Sequence, residues 1–206
     1  MAKLEIPRKT VYRLSLYFRA VQRLKENGPE TVSSAALARV AGVKPTQLRK
    51  DLAYFGQLGT RGLGYNVNLL VNKLAEVLGA ARLQPVVLVG VGRLGAALVR
   101  YRGFQKEGFE IVAGFDIDAS GKLADDLNLE IHDMGKLHAF IRERKVKLAI
   151  LSVPVTVAQE VANELVDAGI QAILNFAPTL LQVPDGVVVN NVDLAIELEN
   201  LSYFIR

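Results

Sequence analysis

The sequence predicts an α/β chain built in two parts: a small basic helical module carrying one β-hairpin, then a parallel sheet covered by helices. Three observations predict it. The charge is split, with 13 Lys and Arg against 5 Asp and Glu in residues 1–80, a balance of +8, and 12 against 16 in residues 81–206, a balance of −4. Apolar residues recur at helical spacing in the first part. From Pro85 they gather into short apolar runs separated by helical stretches, the pattern of strands buried on both faces.

A chain of 206 residues, half of them hydrophobic, suits one large domain or two small ones and is ample for a core. The absence of cysteine excludes disulfides, thiol catalysis and cysteine-based metal sites, and no metal site is expected. The segment MAKLEIPRKTVYRL lacks an apolar signal core. The apolar runs break well before the ~20 residues of a membrane span. A soluble cytoplasmic protein without a membrane partner is expected. The basic half is expected to face a polyanion, although charge alone equally describes a solvated surface.

The first helix is expected from Pro7 to Asn27, with Val11, Leu14, Phe18 and Val21 on one face and Gly28-Pro29 as its stop. Ser33 or Ser34 can cap a second, ending at Ala41, and Gly42 permits a sharp turn. A third helix starts near Pro45-Thr46 and aligns Leu48, Leu52 and Phe55. The run FGQLGTRGLGY, with glycines at 56, 59, 62 and 64, fits a β-hairpin tip near another backbone. Asn68 is expected to cap a fourth helix closed by Gly79, and residues 80–85 to form a linker. The strands expected after it are PVVLVGVG, EIVAGFDID, KLAILSVP, QAILNFAP and VVVNNVD. Helices are expected over 93–102 and from Thr156, the second with a capping box of Thr156 and Gln159.

Residues 34–53, SAALARVAGVKPTQLRKDLA, meet the demands of a helix-turn-helix: small Ala38 where helices cross, Gly42 in the turn, Leu48 inward six positions on. With Leu48 and Leu52 inward, Thr46, Gln47, Arg49 and Lys50 face out and offer donors to phosphates and guanine edges of double-stranded DNA. The hairpin that follows makes the order that of a winged helix, whose wing can set Arg61 in the minor groove. Tyr54 either packs the wing or touches a phosphate.

Gly90-Val91-Gly92-Arg93-Leu94-Gly95 is a full G-x-G-x-x-G directly after a strand and opening a helix. In that context the first glycine turns the chain, the second admits a pyrophosphate, and the third lets helix and strand pack closely. The helix N-terminus supplies N–H groups and a positive dipole end. Asp116, in the strand-ending Asp116-Ile117-Asp118, can accept from both ribose hydroxyls and repel a 2′-phosphate, which favours NADH and NAD+ over their phosphorylated forms. Arg93 either pairs with the pyrophosphate or lies on the helix surface. The turns Ser152-Val153-Pro154 and Asn175 to Pro178 end strands, where a Rossmann-type sheet binds its ligand, so Val153 and Pro154 are expected beside the nicotinamide. His132 and His138 read as solvated rather than catalytic, and no substrate domain is left over, so no enzyme activity is expected.

A winged helix joined to a Rossmann-type domain at this length resembles the redox-sensing repressor family Rex. The likeness spans essentially the whole chain through LRKDLAYFGQLGTRGLGY, VGVGRLG, FDID, SVP, ILNFAP and NVD. The resemblance implies a transcriptional repressor that binds palindromic operator DNA with NAD+ and leaves it with NADH. It also implies three coupling residues: Asp193 would pair with Arg19 in one state and turn toward Tyr101, near the nucleotide, in the other. Leu194 departs from the aromatic residue that family members can place there, which puts a stacking role in doubt. The family's last helix swaps between subunits of a homodimer, and the stripe Leu194, Leu198, Leu201 and Ile205 agrees with a domain-swapped terminal helix. The expected division is 1–80 for DNA, 81–192 for NAD(H) and 193–206 for dimerisation. The rival readings are an NAD-dependent dehydrogenase and a CoA-binding protein.

Overall fold

The computed structural model describes residues 6–80, 82–119 and 127–205. Ala81 of the expected linker and Arg206 at the end of the expected terminal stretch lie outside them. The chain divides into two compact units, Met1–Arg82 and Leu83–Arg206.

The first unit runs α1 (Arg8–Asn27), β1 (Thr31–Val32), α2 (Ser34–Val40), α3 (Pro45–Ala53), β2 (Gly59–Thr60), β3 (Gly64–Asn66) and α4 (Val67–Leu78). Leu14, Phe18 and Val21 of α1 are buried as expected, but Val11 is 43% exposed. Thr10 takes the inward place one turn before Leu14, because its hydroxyl donates to the buried carboxylate of Asp51 at 3.3 Å. Ser33 caps α2, its Oγ accepting from the Ala36 N–H at 3.1 Å. Ala38 is buried in the unit's core with Leu48 and Leu52 of α3. The glycine-rich run forms the hairpin β2–β3, and β1 joins it in a three-stranded antiparallel sheet of order β1–β3–β2. Helix α4 is capped by Asn66 rather than Asn68: β3 passes directly into the helix, and Asn66 Oδ1 accepts from the Leu69 N–H at 3.0 Å.

The second unit runs β4 (Gln84–Val89), α5 (Arg93–Arg100), α6 (Gly103–Lys106), β5 (Phe109–Asp116), β6 (Ile131–Asp133), a 3-10 turn (Met134–Lys136), α7 (Leu137–Arg144), β7 (Leu148–Leu151), α8 (Val155–Ala168), β8 (Ala172–Asn175), β9 (Val188–Asn191) and α9 (Leu194–Tyr203). All six strands are parallel, in the order β6–β5–β4–β7–β8–β9. Side chains alternate along β4, so Val87 and Val89 enter one core and Val86 and Leu88 the other. The order reverses between β4 and β7, and in open parallel sheets ligands bind beyond the carboxyl ends of the strands at such a reversal.

Two further local expectations are corrected. Thr156 and Gln159 form no capping box: α8 starts at Val155 after Pro154, without a side-chain cap. Gln159 instead clamps another segment, its Nε2 donating to the Gln182 carbonyl at 2.9 Å while its Oε1 accepts from the Gln182 N–H at 2.9 Å. His132 is not solvated. It sits on β6 beside Phe115 of β5 and packs between the rings of Phe115 and Phe140 at 5.5 and 5.4 Å. No described helix is long and apolar enough to cross a membrane.

Candidate functional site

Two sites emerge, one in each unit. In the first, α3 exposes Thr46, Arg49 and Lys50, and Tyr54 at its end is 40% exposed. Arg61 lies exposed at the hairpin tip, where the Leu63 N–H closes the turn on the Thr60 carbonyl at 3.1 Å. A cleft of about 540 Å³ between α3 and the wing is lined by Ser34, Arg49, Gln57, Thr60 and Arg61. Arg49 Nη1 donates to Ser34 Oγ at 3.0 Å, which holds this cation on the outer face. Exposed cations of this kind on a helix and a flanking wing engage phosphates.

Gln47 behaves differently from its neighbours. It is half-buried, and its Nε2 donates to Asp51 Oδ1 at 2.9 Å. Asp51 is the hub of a network that the sequence reasoning missed. Arg13 of α1 meets it with a fork, Nε on Oδ2 at 2.6 Å and Nη2 on Oδ1 at 2.8 Å. The Tyr17 hydroxyl donates to Oδ2 at 2.7 Å. Burial pushes the Asp51 carboxyl up, but the hydrogen bonds from Arg13, Tyr17 and Gln47 outweigh it and hold the group below the ordinary carboxylate value. Burial, followed by the bond to Asp51, raises the Tyr17 phenol above its ordinary value. The available signal was an acid placed between two inward leucines, with Arg13 and Tyr17 one turn apart on the opposing helix.

In the second unit, β4 ends in the glycine turn. Gly90 has φ +93, and a Cβ there would lie 2.6 Å from the Ser152 carbonyl oxygen, so only glycine fits. A Cβ on Gly95 would press on the Gly90 carbonyl oxygen, the close helix–strand contact expected of the third glycine. Gly92 differs: no protein atom lies within 4 Å of a Cβ built there, so its outer side suits a ligand's approach. Helix α5 starts directly after it with no side-chain cap on its first N–H groups. Arg93 and Leu94 are exposed there. Ser152 Oγ donates to the Gly90 carbonyl at 2.8 Å and ties the end of β7 to the turn.

Asp116 stands at the end of β5, accepting from the Val91 N–H at 2.6 Å and from the Asp118 N–H at 3.0 Å. Its carboxylate thus orders the glycine turn and keeps lone pairs for further donors. Val153 is half-buried and Pro154 exposed at the start of α8, at the same edge of the sheet. Asn175 is fully buried and latches its own turn, donating to the Ala177 and Thr179 carbonyls and to Asn191 Oδ1 at 3.0, 2.9 and 2.9 Å. That half of the NFAP turn is architectural. Tyr101 is not brought to the glycine turn of its own chain. It ends α5 about 13.5 Å along the helix axis from Gly92, 60% exposed, its ring edge-on to Phe104 at 5.1 Å. Asp193 caps α9, Oδ1 accepting from the Ala195 and Ile196 N–H groups at 2.9 and 3.3 Å. Arg19 is exposed on α1. Among the described residues no cluster of three or more His, Asp or Glu could hold a metal ion.

Residues 5–53 match the family model of a putative DNA-binding protein N-terminus, and residues 82–179 that of a CoA binding domain. The redox-sensing transcriptional repressor Rex of Carboxydothermus hydrogenoformans is 47% identical, over 100% of this chain and 99% of that one. This chain belongs to the Rex family. Another Rex repressor, from Syntrophobacter fumaroxidans, is 47% identical over 97% of this chain and 95% of its own length. Among solved structures, the Rex-family repressor RSP in complex with β-NAD+ and operator DNA matches with a TM-score of 0.89 at 37% identity, covering 98% of this chain and 94% of RSP. RSP in complex with β-NADH matches with a TM-score of 0.83 at 35% identity, over 98% and 95%. The Rex relatives are transcriptional repressors rather than enzymes, and they share both units with this chain.

Proposed function

We propose that this Rex-family chain binds palindromic operator DNA as a homodimer and leaves it when its second unit takes up NADH. The observation that carries the reading is the pairing, in one chain, of a cationic winged-helix face with a glycine turn whose adjacent carboxylate suits an unphosphorylated ribose. Thr46, Arg49, Lys50, Tyr54 and Arg61 face the duplex. Gly90 to Gly95 and the first turn of α5 hold the pyrophosphate. Asp116, with Asp118 beside it, accepts from the ribose hydroxyls. Val153 and Pro154 flank the nicotinamide. The same carboxylate argues against coenzyme A, whose ribose bears a phosphate, despite the family model that matches residues 82–179.

Dimerisation is supported by α9, on which no residue is buried: Leu194, Leu198 and Leu201 are 64, 67 and 63% exposed, and Ile205 just beyond it 85%. Ten residues do not hold a helix in water unaided, and this stripe needs an apolar surface such as a second subunit provides. Asp193 at its start, Arg19 on α1 and Tyr101 after α5 form the switch, the carboxylate exchanging partners between two arrangements of the subunits. Asp116→Ala tests the sensing half: its fluorescence titration with NADH should weaken at least tenfold, and operator binding should persist at NADH concentrations that release the unmodified protein. NADH release equal to that of the unmodified protein would contradict the assignment.

A further inference from the structure

The Asp51 network does more than fasten α3 to α1, because it also dictates which atoms Gln47 turns outward. A carboxylate oxygen only accepts hydrogen bonds, so the nitrogen end of the Gln47 amide must face Asp51 Oδ1, where it is held at 2.9 Å. Asp51 is itself pinned by the Arg13 fork, by the Tyr17 hydroxyl and by Thr10, and it is 1% exposed, so the anchor has no freedom to turn. One of the two Nε2 hydrogens is thereby committed. Left for a ligand are the carbonyl Oε1, which takes no hydrogen bond among the described residues, and the second N–H in the same plane. Gln47 is the third residue of α3, and N-terminal residues of a recognition helix are the ones that meet base edges.

From this we infer that Gln47 is the adenine-reading residue of the recognition helix, and that Asp51 is the positioning residue that sets its polarity. The inference rests on the operator-binding reading above. An acceptor beside one donor complements the major-groove edge of adenine, which offers the N6 amine and N7. The edge of guanine presents two acceptors, O6 and N7, and leaves Oε1 facing a lone pair. An unanchored glutamine would choose its end to suit the base. Here the alternative end is closed, because turning the amide over sets its oxygen against a carboxylate.

The test uses the full-length protein and a palindromic duplex selected with it from a randomised pool. Each adenine of one half-site is replaced in turn by 2-aminopurine, which lacks the 6-amine but pairs with thymine, and by 7-deazaadenine, which lacks N7. At one adenine both replacements should weaken binding about tenfold. Gln47→Ala removes the contact from both half-sites, so it should weaken binding of the unmodified duplex by about the square of that factor and show no further loss with either analogue at that position. Asp51→Asn keeps the side-chain shape but offers Gln47 both a donor and an acceptor. It should shrink the two analogue penalties while the salt dependence of binding stays unchanged. A selected half-site without a fixed adenine would overturn the inference, as would analogue penalties that persist undiminished in Gln47→Ala. An Asp51→Asn that lowers affinity equally for every duplex would reduce Asp51 to a structural role. If the unmodified protein selects no duplex at all, the operator-binding reading fails first, and that outcome is distinct from the others.

Discussion

Gly92 and Gly95 stand three positions apart and play different roles. A methyl group on Gly95 strikes the Gly90 carbonyl, whereas one on Gly92 meets nothing in the protein. Gly95→Ala should therefore destabilise the second unit by about 1–3 kcal/mol, the usual cost of overpacking, read as a lowered melting temperature. Gly92→Ala should melt like the unmodified chain yet lose NADH affinity at least tenfold in a fluorescence titration. Unchanged affinity would remove the pyrophosphate from that turn. Asp51 carries the corresponding prediction for the first unit. Asp51→Ala leaves the buried Tyr17 hydroxyl and the half-buried Arg13 fork without their acceptor, so it should cost about 1–3 kcal/mol of unfolding free energy. The sign with pH follows from the two shifts. Asp51 titrates below the ordinary 3.8, so its contribution is whole above that value and is lost as the pH falls through its folded value. Tyr17 titrates above the ordinary 10.0, so its contribution is whole below 10.0 and fades as the pH rises further. Circular-dichroism melts at pH 7 and pH 3 should show a smaller acid-induced drop for Asp51→Asn than for the unmodified chain. At this scale the sequence disclosed the glycines and Asp116, because spacing after a strand gives them meaning. It did not disclose Asp51, whose role depends on Arg13 and Tyr17 arriving from a helix some 35 positions away.

Among the elements, the proposed function gives α3 and the wing the uniform part of DNA binding, and α9 the assembly. Lys50→Ala and Arg61→Ala should each weaken binding to any duplex and lower the slope of log affinity against log salt by about two, one for each subunit of the dimer. An unaltered slope would place that side chain off the phosphates. Leu198→Asp puts a charge into the α9 stripe and should convert a dimer into monomers in sedimentation velocity, which also lowers operator affinity because two half-sites no longer share one binder. Element types were legible throughout wherever a period or an apolar run was long, as in α1, α4, β4 and β5. Ends were less so. Asn66 took the cap expected of Asn68 because β3 enters the helix without a loop, and Gln159 left its supposed box to hold Gln182. The strands β1 and β6, two and three residues long, are too short to leave a pattern.

For the molecule as a whole, a six-stranded parallel sheet with its order reversed between β4 and β7 sets the nucleotide turn at one place, and a separate unit bears the cations. In the proposed function a population shift joins them, between two subunit arrangements that differ in their affinity for the reduced nucleotide. A full swing from 99:1 to 1:99 requires a preference of ~5.5 kcal/mol, and one from 90:10 to 10:90 about 2.6 kcal/mol. Such coupling is reciprocal, so operator DNA must in turn weaken NADH binding by the same factor. The most direct measurement is the affinity of the full-length protein for a labelled palindromic duplex, by fluorescence anisotropy at fixed salt, titrated with NADH and separately with NAD+. NADH should raise the dissociation constant at least tenfold while NAD+ leaves it unchanged or lowers it. Equal affinity for the duplex in the two nucleotides would rule out the population shift.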